Sequence, residues 1–424
     1  MLALSVLALA ALAGGWVAAI DAVGVPPRRL APWIERRAAG HDALIVGAAG
    51  IAARVLIALD RGDPDLDLAA LRPALAAGDT AVAHGGREIV VATPREARAA
   101  IAHAEPGDVV VFAPGRYRFH GSYIEVSRAG RDDAPITVRA AAAGTVMLEF
   151  DMTEGFLVSA PDWTFENLVI RGVCADDSNC EHAFHVVGGA THFVARNNTV
   201  LDFNAHFKIN ASGGAFPDGG RIEDNVIADS EPRRTANPVA AIDLVAASGW
   251  RIRGNRISDF VKHGGDGISV GAFAKGGGAD NRFIGNVVVC EERLRGEPGQ
   301  RVGISLGDGG TGAAFCRDRR CIVEQDRGVI ESNVIASCSD DGIYLNRAAA
   351  SRVAGNTLID TGGIVVRFPE TAADVRGNRV DGAIVARDGA ALHAADNRST
   401  ALPWLYLGWH PVRWSFERAL RPPG

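Results

Sequence analysis

An asparagine returns along this chain inside one short apolar frame: TFENLVI (Asn167), VARNNTV (Asn198), IEDNVI (Asn225), IRGNRI (Asn255), FIGNVV (Asn286), IESNVI (Asn333), VAGNTL (Asn356), VRGNRV (Asn378) and HAADNRS (Asn397). Successive copies lie 19 to 31 residues apart, except for a step of 47 between Asn286 and Asn333. Self-similarity at such a period marks a stacked repeat. A second frame, small-Ile-x-hydrophobic, runs between the asparagines in AFHVV (183–187), HFKIN (206–210), AIDLV (241–245), GISV (267–270), GISL (303–306), GIYL (342–345) and GIVV (363–366). Alternation over so few residues is strand, not helix, and a repeat this short cannot bury its apolar side until the next one stacks on it. The expected fold is all-β, a right-handed single-stranded parallel β-helix. Its asparagines should stack in inward bends, each amide bonding the backbone of a neighbouring coil.

The 424 residues carry 50 glycines, 6% aromatics and a net charge of −6. That composition allows a long apolar core and lacks the basic footprint of a nucleic-acid binder. Residues 87–400 leave room for about a dozen coils, a stack on the order of 55 to 60 Å. Its long side suits a polymer.

Residues 1–22 form a separate segment, since Leu2 to Ile20 are apolar without a charge. This is a secretory signal, cleaved after Ala13 or Ala19, or an uncleaved membrane anchor. Residues 27–85 read as a small helical preface packed on the solenoid. Within it, ALIVGAAGIAARVLIALDRGD (43–63) lacks the full GxGxxG of a dinucleotide site and ends on helix-stop signals. Residues 401–424 hold Trp404, Tyr406, Trp409, Trp414 and Phe416 and read as a cap on the final coil.

Four of the six cysteines form two close pairs, Cys174 with Cys180 and Cys316 with Cys321, each able to staple a short loop in an oxidising compartment. Neither pair has zinc spacing or a placed histidine, so no metal site is read there. Cys290 and Cys338 fall in adjacent coils, as core thiols or a third disulfide. Export to the periplasm or the medium follows from the apolar leader and the cysteines together.

At REIVVATPREARAAIAH, a strand at Ile89–Ala92 gives way to a helix with Thr93 as N-cap, Pro94 in the first turn and Glu96 closing a capping box. Its apolar stripe of Ala97, Ala100, Ile101 and Ala104 should close the open end of the stack. The following PGDVVVFAPGRYRF, Tyr123-Ile124-Glu125 and DAPITVRAAAAGTVMLEF (133–150) resemble the opening of the alginate lyase and chondroitinase B-like polysaccharide lyases. The resemblance implies an exported β-helix acting on acidic polysaccharide by β-elimination. In those lyases calcium neutralises a uronate carboxylate, and a Lys and Arg pair serves as base and acid. The Asn-Gly-Glu and Lys-Ser segments that carry this chemistry have no counterpart here, so no catalytic residue is transferred. No cofactor follows from the residues themselves, and calcium stays open.

In the second frame, the residue between the inward Ile and the next hydrophobe points out. That column reads His185, Lys208, Asp243, Ser269, Ser305, Tyr344 and Val365. The column two places on reads Val187, Asn210, Val245, Gly271, Gly307, Asn346 and Arg367, flanked by His182, His206, His263, Asp266, Asp308, Asp341 and Arg347. Glycines at 271, 276, 277, 278, 307, 309 and 310 should lower the wall into a cleft over residues 205–310. The candidate catalytic group is Lys208 as a lysine of lowered pKa that abstracts the proton α to a uronate carboxylate, with His185 and Asp243 beside it and Tyr344 as proton donor. Candidate substrate contacts are His206, Asn210, Asp266, Lys275, Asn346, Arg347 and Arg367. The long step holding CEERLRGEPGQ and the Cys316–Cys321 loop reads as a wall of this cleft. Two alternatives stand beside the lyase: a carbohydrate-binding or envelope protein without turnover, and a hydrolase using paired carboxylates among Asp243, Asp266, Asp308 and Asp341.

Overall fold

The computed structural model describes residues 2–60, 86–308 and 310–406. The glycine read at position 309, the end of the preface at 61–85, and Trp409, Trp414 and Phe416 lie outside them. The chain winds into three long parallel sheets of 12, 10 and 11 strands running along one axis. Every pairing joins equivalent strands of successive coils, the geometry of a parallel β-helix. The 12-stranded sheet matches the expected dozen coils.

The asparagines stack in the bend between the 12-stranded and 11-stranded sheets. The Asn225 amide nitrogen and Nδ2 both donate to Asn255 Oδ1 at 3.0 Å, while Nδ2 also reaches back to Ala195 O at 3.0 Å. The same set of bonds links Asn198, Asn225, Asn255, Asn286, Asn333, Asn356, Asn378 and Asn397. Asn167 is the exception. It has φ +63° and pairs with Asn197, one place before the ladder, and Leu168 takes the ladder position, its amide donating to Asn198 Oδ1 at 3.0 Å. The spacing explains the slip: true members have an inward apolar residue three before and two after, which in this coil fits Leu168 (Phe165, Ile170) and not Asn167.

Inside the 10-stranded sheet, Phe156, Phe184 and Phe207 stack coil upon coil at 5.4 and 5.1 Å between centroids, and Ile242 continues their column. Stacked rings fill the wide early coils, and aliphatics fill the later ones. The strand Ile268–Lys275 departs from expectation. Phe273, not Ser269, pairs with Asp243 and Ser305, and Lys275, not Gly271, pairs with Val245. The inward positions here are Ala272 and Ala274, so the apolar pattern is inverted and the GISV match falls four residues early.

Helix α4 (Pro94–His103) covers the first coil, with Thr93 Oγ1 accepting from Glu96 N at 3.2 Å and Ala97 and Ile101 buried. Residues 43–60 are one helix, with no dinucleotide fold. The N-terminal helices α1 (Leu2–Val23), α2 (Pro27–Ala38) and α3 (Ala43–Asp60) return to the far end of the stack. Arg28 is buried between Asp60 at 2.8 Å and Asp360 at 3.4 Å, and Arg29 bonds Asp340 at 2.7 Å and Asp341 at 3.0 Å. Residues 291–300 build part of this seat, with Glu291 and Arg301 buried together at 2.9 Å. At the last coil, Ile20 of α1 packs with Ala383 and with Leu402 and Leu405 of helix α5 (Leu402–Tyr406).

Candidate functional site

A cleft of about 610 Å³ opens on the outer face of the 10-stranded sheet. Its floor is laid by the strands Glu154–Val158, His182–Val187, Ala205–Asn210, Val239–Val245 and Ile268–Lys275, which bring Glu154, His182, His185, Lys208, Asn210 and Lys275 to one surface. One wall is the loop from Gly310 to Arg319. The disulfide Cys316–Cys321 closes it, and Arg317 ties it down by a two-pronged bond to Asp218 at 2.8 Å and by stacking 4.2 Å from the Phe216 centroid. Gly276, at φ +75°, lets the loop cross, since a Cβ there would meet Ala246 N at 2.9 Å while Arg317 N bonds Gly276 O at 2.8 Å. Only this second half of the long step walls the cleft; the first half seats α2.

Within the floor, His185, Lys208 and Asp243 lie side by side on successive strands. The Lys208 ammonium is bonded directly to the Asp243 carboxylate. His185 is held at both nitrogens: Nδ1 lies 2.9 Å from Glu154 Oε1 and Nε2 lies 2.7 Å from Asn210 Oδ1. Its hydrogen bond to Glu154, more than the opposing burial, holds the Glu154 carboxyl below its ordinary range. Burial, followed by the charges of His185 and Lys208, pushes His182 down to about 4, so this ring is neutral at neutral pH. Burial and the nearby Glu154 carboxylate raise the Glu181 carboxyl, which accepts from Asn237 Nδ2 at 2.7 Å. Glu154 and Glu181 escaped the sequence reading. The frame GFLV (155–158) that follows Glu154 is the signal that would have found it, since it is one coil upstream of AFHVV.

The other expected contacts are dispersed. Lys275 lines the cleft, bonded to Asp308 at 3.0 Å and lying 4.1 Å over the Phe273 ring. His206 is 1% exposed, beneath the surface against Asp229 at 3.3 Å, and is not available to a ligand. Its neighbour Phe207 points into the core at the next position, and the bend that precedes the strand turns the imidazole inward as well. Asp266 stands before the start of the strand Ile268–Lys275, at the other end of that strand from Lys275, and is bonded to Lys262 at 2.8 Å. Tyr344, Asn346, Arg347 and Arg367 form a separate group beyond the cleft: Asn346 Nδ2 donates to Tyr344 Oη at 3.0 Å, Arg367 pairs with Asp388, and both arginines lie over Phe368. Tyr344 is two strands past the strand of Lys275 and does not line the cleft. Asp243, Asp266 and Asp308 each carry a lysine, and Asp341 an arginine. All six cysteines are paired, Cys174–Cys180, Cys290–Cys338 and Cys316–Cys321.

Among solved structures, the chain is similar to the pectate lyase Pel9A, with a TM-score of 0.52 and 16% identity over 70% of this chain and 73% of that one. It is also similar to ORF18 of Geobacillus virus E2, at 0.50 and 12% over 85% and 64%. A rhamnogalacturonan lyase overlaps 70% of this chain and 80% of its own, at 13% identity and a TM-score of 0.46. The shared property is the parallel β-helix. No protein-family model matches the chain, and no curated protein matches it.

The calcium that the family resemblance implies does not fit the ligand group in this cleft. Calcium takes six to eight oxygen ligands, whereas the grouped donors here are the imidazoles of His182 and His185 and one carboxylate, Glu154.

Proposed function

We propose that the protein acts on an acidic polysaccharide laid across the 10-stranded sheet, by β-elimination, in an extracytoplasmic compartment. The observation that carries this reading is the cleft itself, in which Lys208, Lys275 and His185 sit on a rigid strand floor facing a disulfide-closed loop. Removal of the proton α to a uronate carboxylate needs a cation on that carboxylate, a base, and an acid for the departing glycosidic oxygen. Lys208 is suited to the first or the last of these tasks as an ammonium. Glu181, whose carboxyl is raised by burial, is suited to take the proton. The electron pair then forms the new double bond as the glycosidic bond breaks, and the leaving oxygen takes a proton from the site. Three disulfides support an oxidising location.

Binding without turnover is the second reading, favoured by the closed Lys208–Asp243 pair, in which the lysine is already engaged by a carboxylate of the protein. Incubation with alginate, pectate and glycosaminoglycans separates the two: elimination yields unsaturated ends that absorb in the ultraviolet, and binding alone yields none.

Membrane attachment is part of the same proposal. Among the described residues, α3 alone is long and apolar enough to cross a bilayer as a single helix, with a mean hydropathy of 2.0 and 11% of its span buried. Val46, Ile51 and Val55 face outward from it, 45%, 58% and 52% exposed. Flotation of the full chain with liposomes tests this attachment.

A further inference from the structure

We infer that Glu154, His182 and His185 form a binding site for a divalent transition-metal ion of the zinc class, open to the cleft. The three residues each bring a ligand atom within 4.8 Å of the others. Glu154 Oε1 and His185 Nδ1 are 2.9 Å apart, about half an ångström short of the roughly 3.4 Å between neighbouring ligands on a tetrahedral ion, a gap that a small side-chain rotation opens. All three side chains stand on paired strands of the stacked sheet, in which Glu154 and His182 are register partners. The positions are therefore held by the solenoid and not by a loop.

Two further observations point to a cation. Both ring nitrogens of His185 face acceptors, Glu154 Oε1 and Asn210 Oδ1. The Asn210 amide cannot be turned to relieve this, because its Nδ2 is committed to Ala211 O at 2.9 Å. A neutral imidazole has one N–H and satisfies only one of the two, so the site calls for a positive charge at Nδ1, either a second proton or a metal ion. An ion on Nδ1, with Nε2–H donating to Asn210, satisfies both, and it reproduces the way metal-bound histidines are anchored through their second nitrogen. The second observation is His182 Nδ1, which is buried without a hydrogen-bond partner among the described residues. Such a nitrogen is costly unless it meets a donor or a metal.

Two imidazoles and one carboxylate match the three-ligand sets that leave zinc a further coordination position. That position faces the cleft, where it would take water or a ligand oxygen. Lys208 does not oppose the ion with a bare charge, since Asp243 neutralises it. The inference stands apart from the proposed elimination chemistry, because it concerns affinity for an ion and not turnover of a polymer.

The test uses the full, disulfide-bonded chain after chelator treatment and dialysis. Calorimetric titration with zinc should give one ion per chain, cobalt should give visible d–d absorption, and zinc should raise the melting temperature. His182→Gln and Glu154→Gln should each weaken zinc binding by at least 100-fold, and Asn210→Ala by roughly 10-fold. His192→Ala serves as control, because Asp132, Asp162 and His192 form the other grouped donors, on a different surface. Should a cleft variant fold poorly, the wild-type stoichiometry and its melting shift still decide. Absence of stoichiometric binding to the wild type overturns the inference, as does binding that survives His182→Gln and is lost in His192→Ala.

Discussion

The ammonium of Lys208 rests on the carboxylate of Asp243, 35 residues on in sequence and one strand away in the sheet. Asp243 is 5% exposed in its side chain, so it depends on this partner. Lys208→Ala should therefore cost about 1 to 3 kcal/mol of stability as well as at least 100-fold in turnover, since it strands a buried carboxylate. Lys208→Ala combined with Asp243→Asn should recover much of the stability and none of the turnover. A double-mutant cycle by denaturant unfolding, with parallel assays on acidic polysaccharide, checks both halves.

Asn255→Leu should destabilise by on the order of 1 to 3 kcal/mol. It takes the side-chain acceptor from Asn225 N and Nδ2 and the side-chain donor from Ile222 O in the preceding coil, and removes one of the two donors to Asn286 Oδ1 in the next, all in the buried bend. Asn167→Gly, which suits the φ of +63° there, should cost much less, because Asn167 stands outside the ladder. Chemical denaturation of the two variants ranks them.

Burial first, and the neighbouring Asp340 carboxylate in addition, push Asp341 up to about 8 despite Arg29. An unfolded aspartate titrates near 4, so the native state holds an extra proton between about pH 4 and pH 8. This contribution to stability is complete below the unfolded value and is lost as pH rises through about 8. Asp341→Asn, which cannot ionise, should flatten that decline. Melting curves of the wild type and the variant from pH 5 to pH 9 provide the comparison.

The two kinds of disulfide should differ in their effect on stability. Cys290–Cys338 encloses 48 residues of separation and Cys316–Cys321 only 5, so on chain entropy their removal as alanine pairs should cost about 4 and about 2 kcal/mol. Loss of the second pair should also speed proteolysis within the cleft wall. Peptide mapping of unreduced protein should find all six cysteines paired.

The stack was legible in the sequence because its signal repeats: each coil restates the asparagine and the inward apolar pair. The His185–Lys208–Asp243 alignment follows from that register alone. Legibility failed where a coil broke the pattern locally. Alanines at the inward positions of 271–274 hid the true strand register, and a leucine at the ladder position, Leu168, left its neighbour Asn167 to be read into the wrong column. Contacts between side chains were less accessible still. No periodicity marks Glu154 reaching across to His185, or two arginines of α2 meeting aspartates more than 300 residues away.

Arg28 finds Asp360 only after 332 residues of chain have followed it. Helices made before the stack are consequently among the last to be seated, because the ledge that receives them is made of the final coils. Until those coils are wound, the arginine that they bury must be accommodated elsewhere, by a translocation machinery, a chaperone or a lipid surface. Synthesis order thus sets a waiting period for the amino-terminal end that grows with every coil added to the stack.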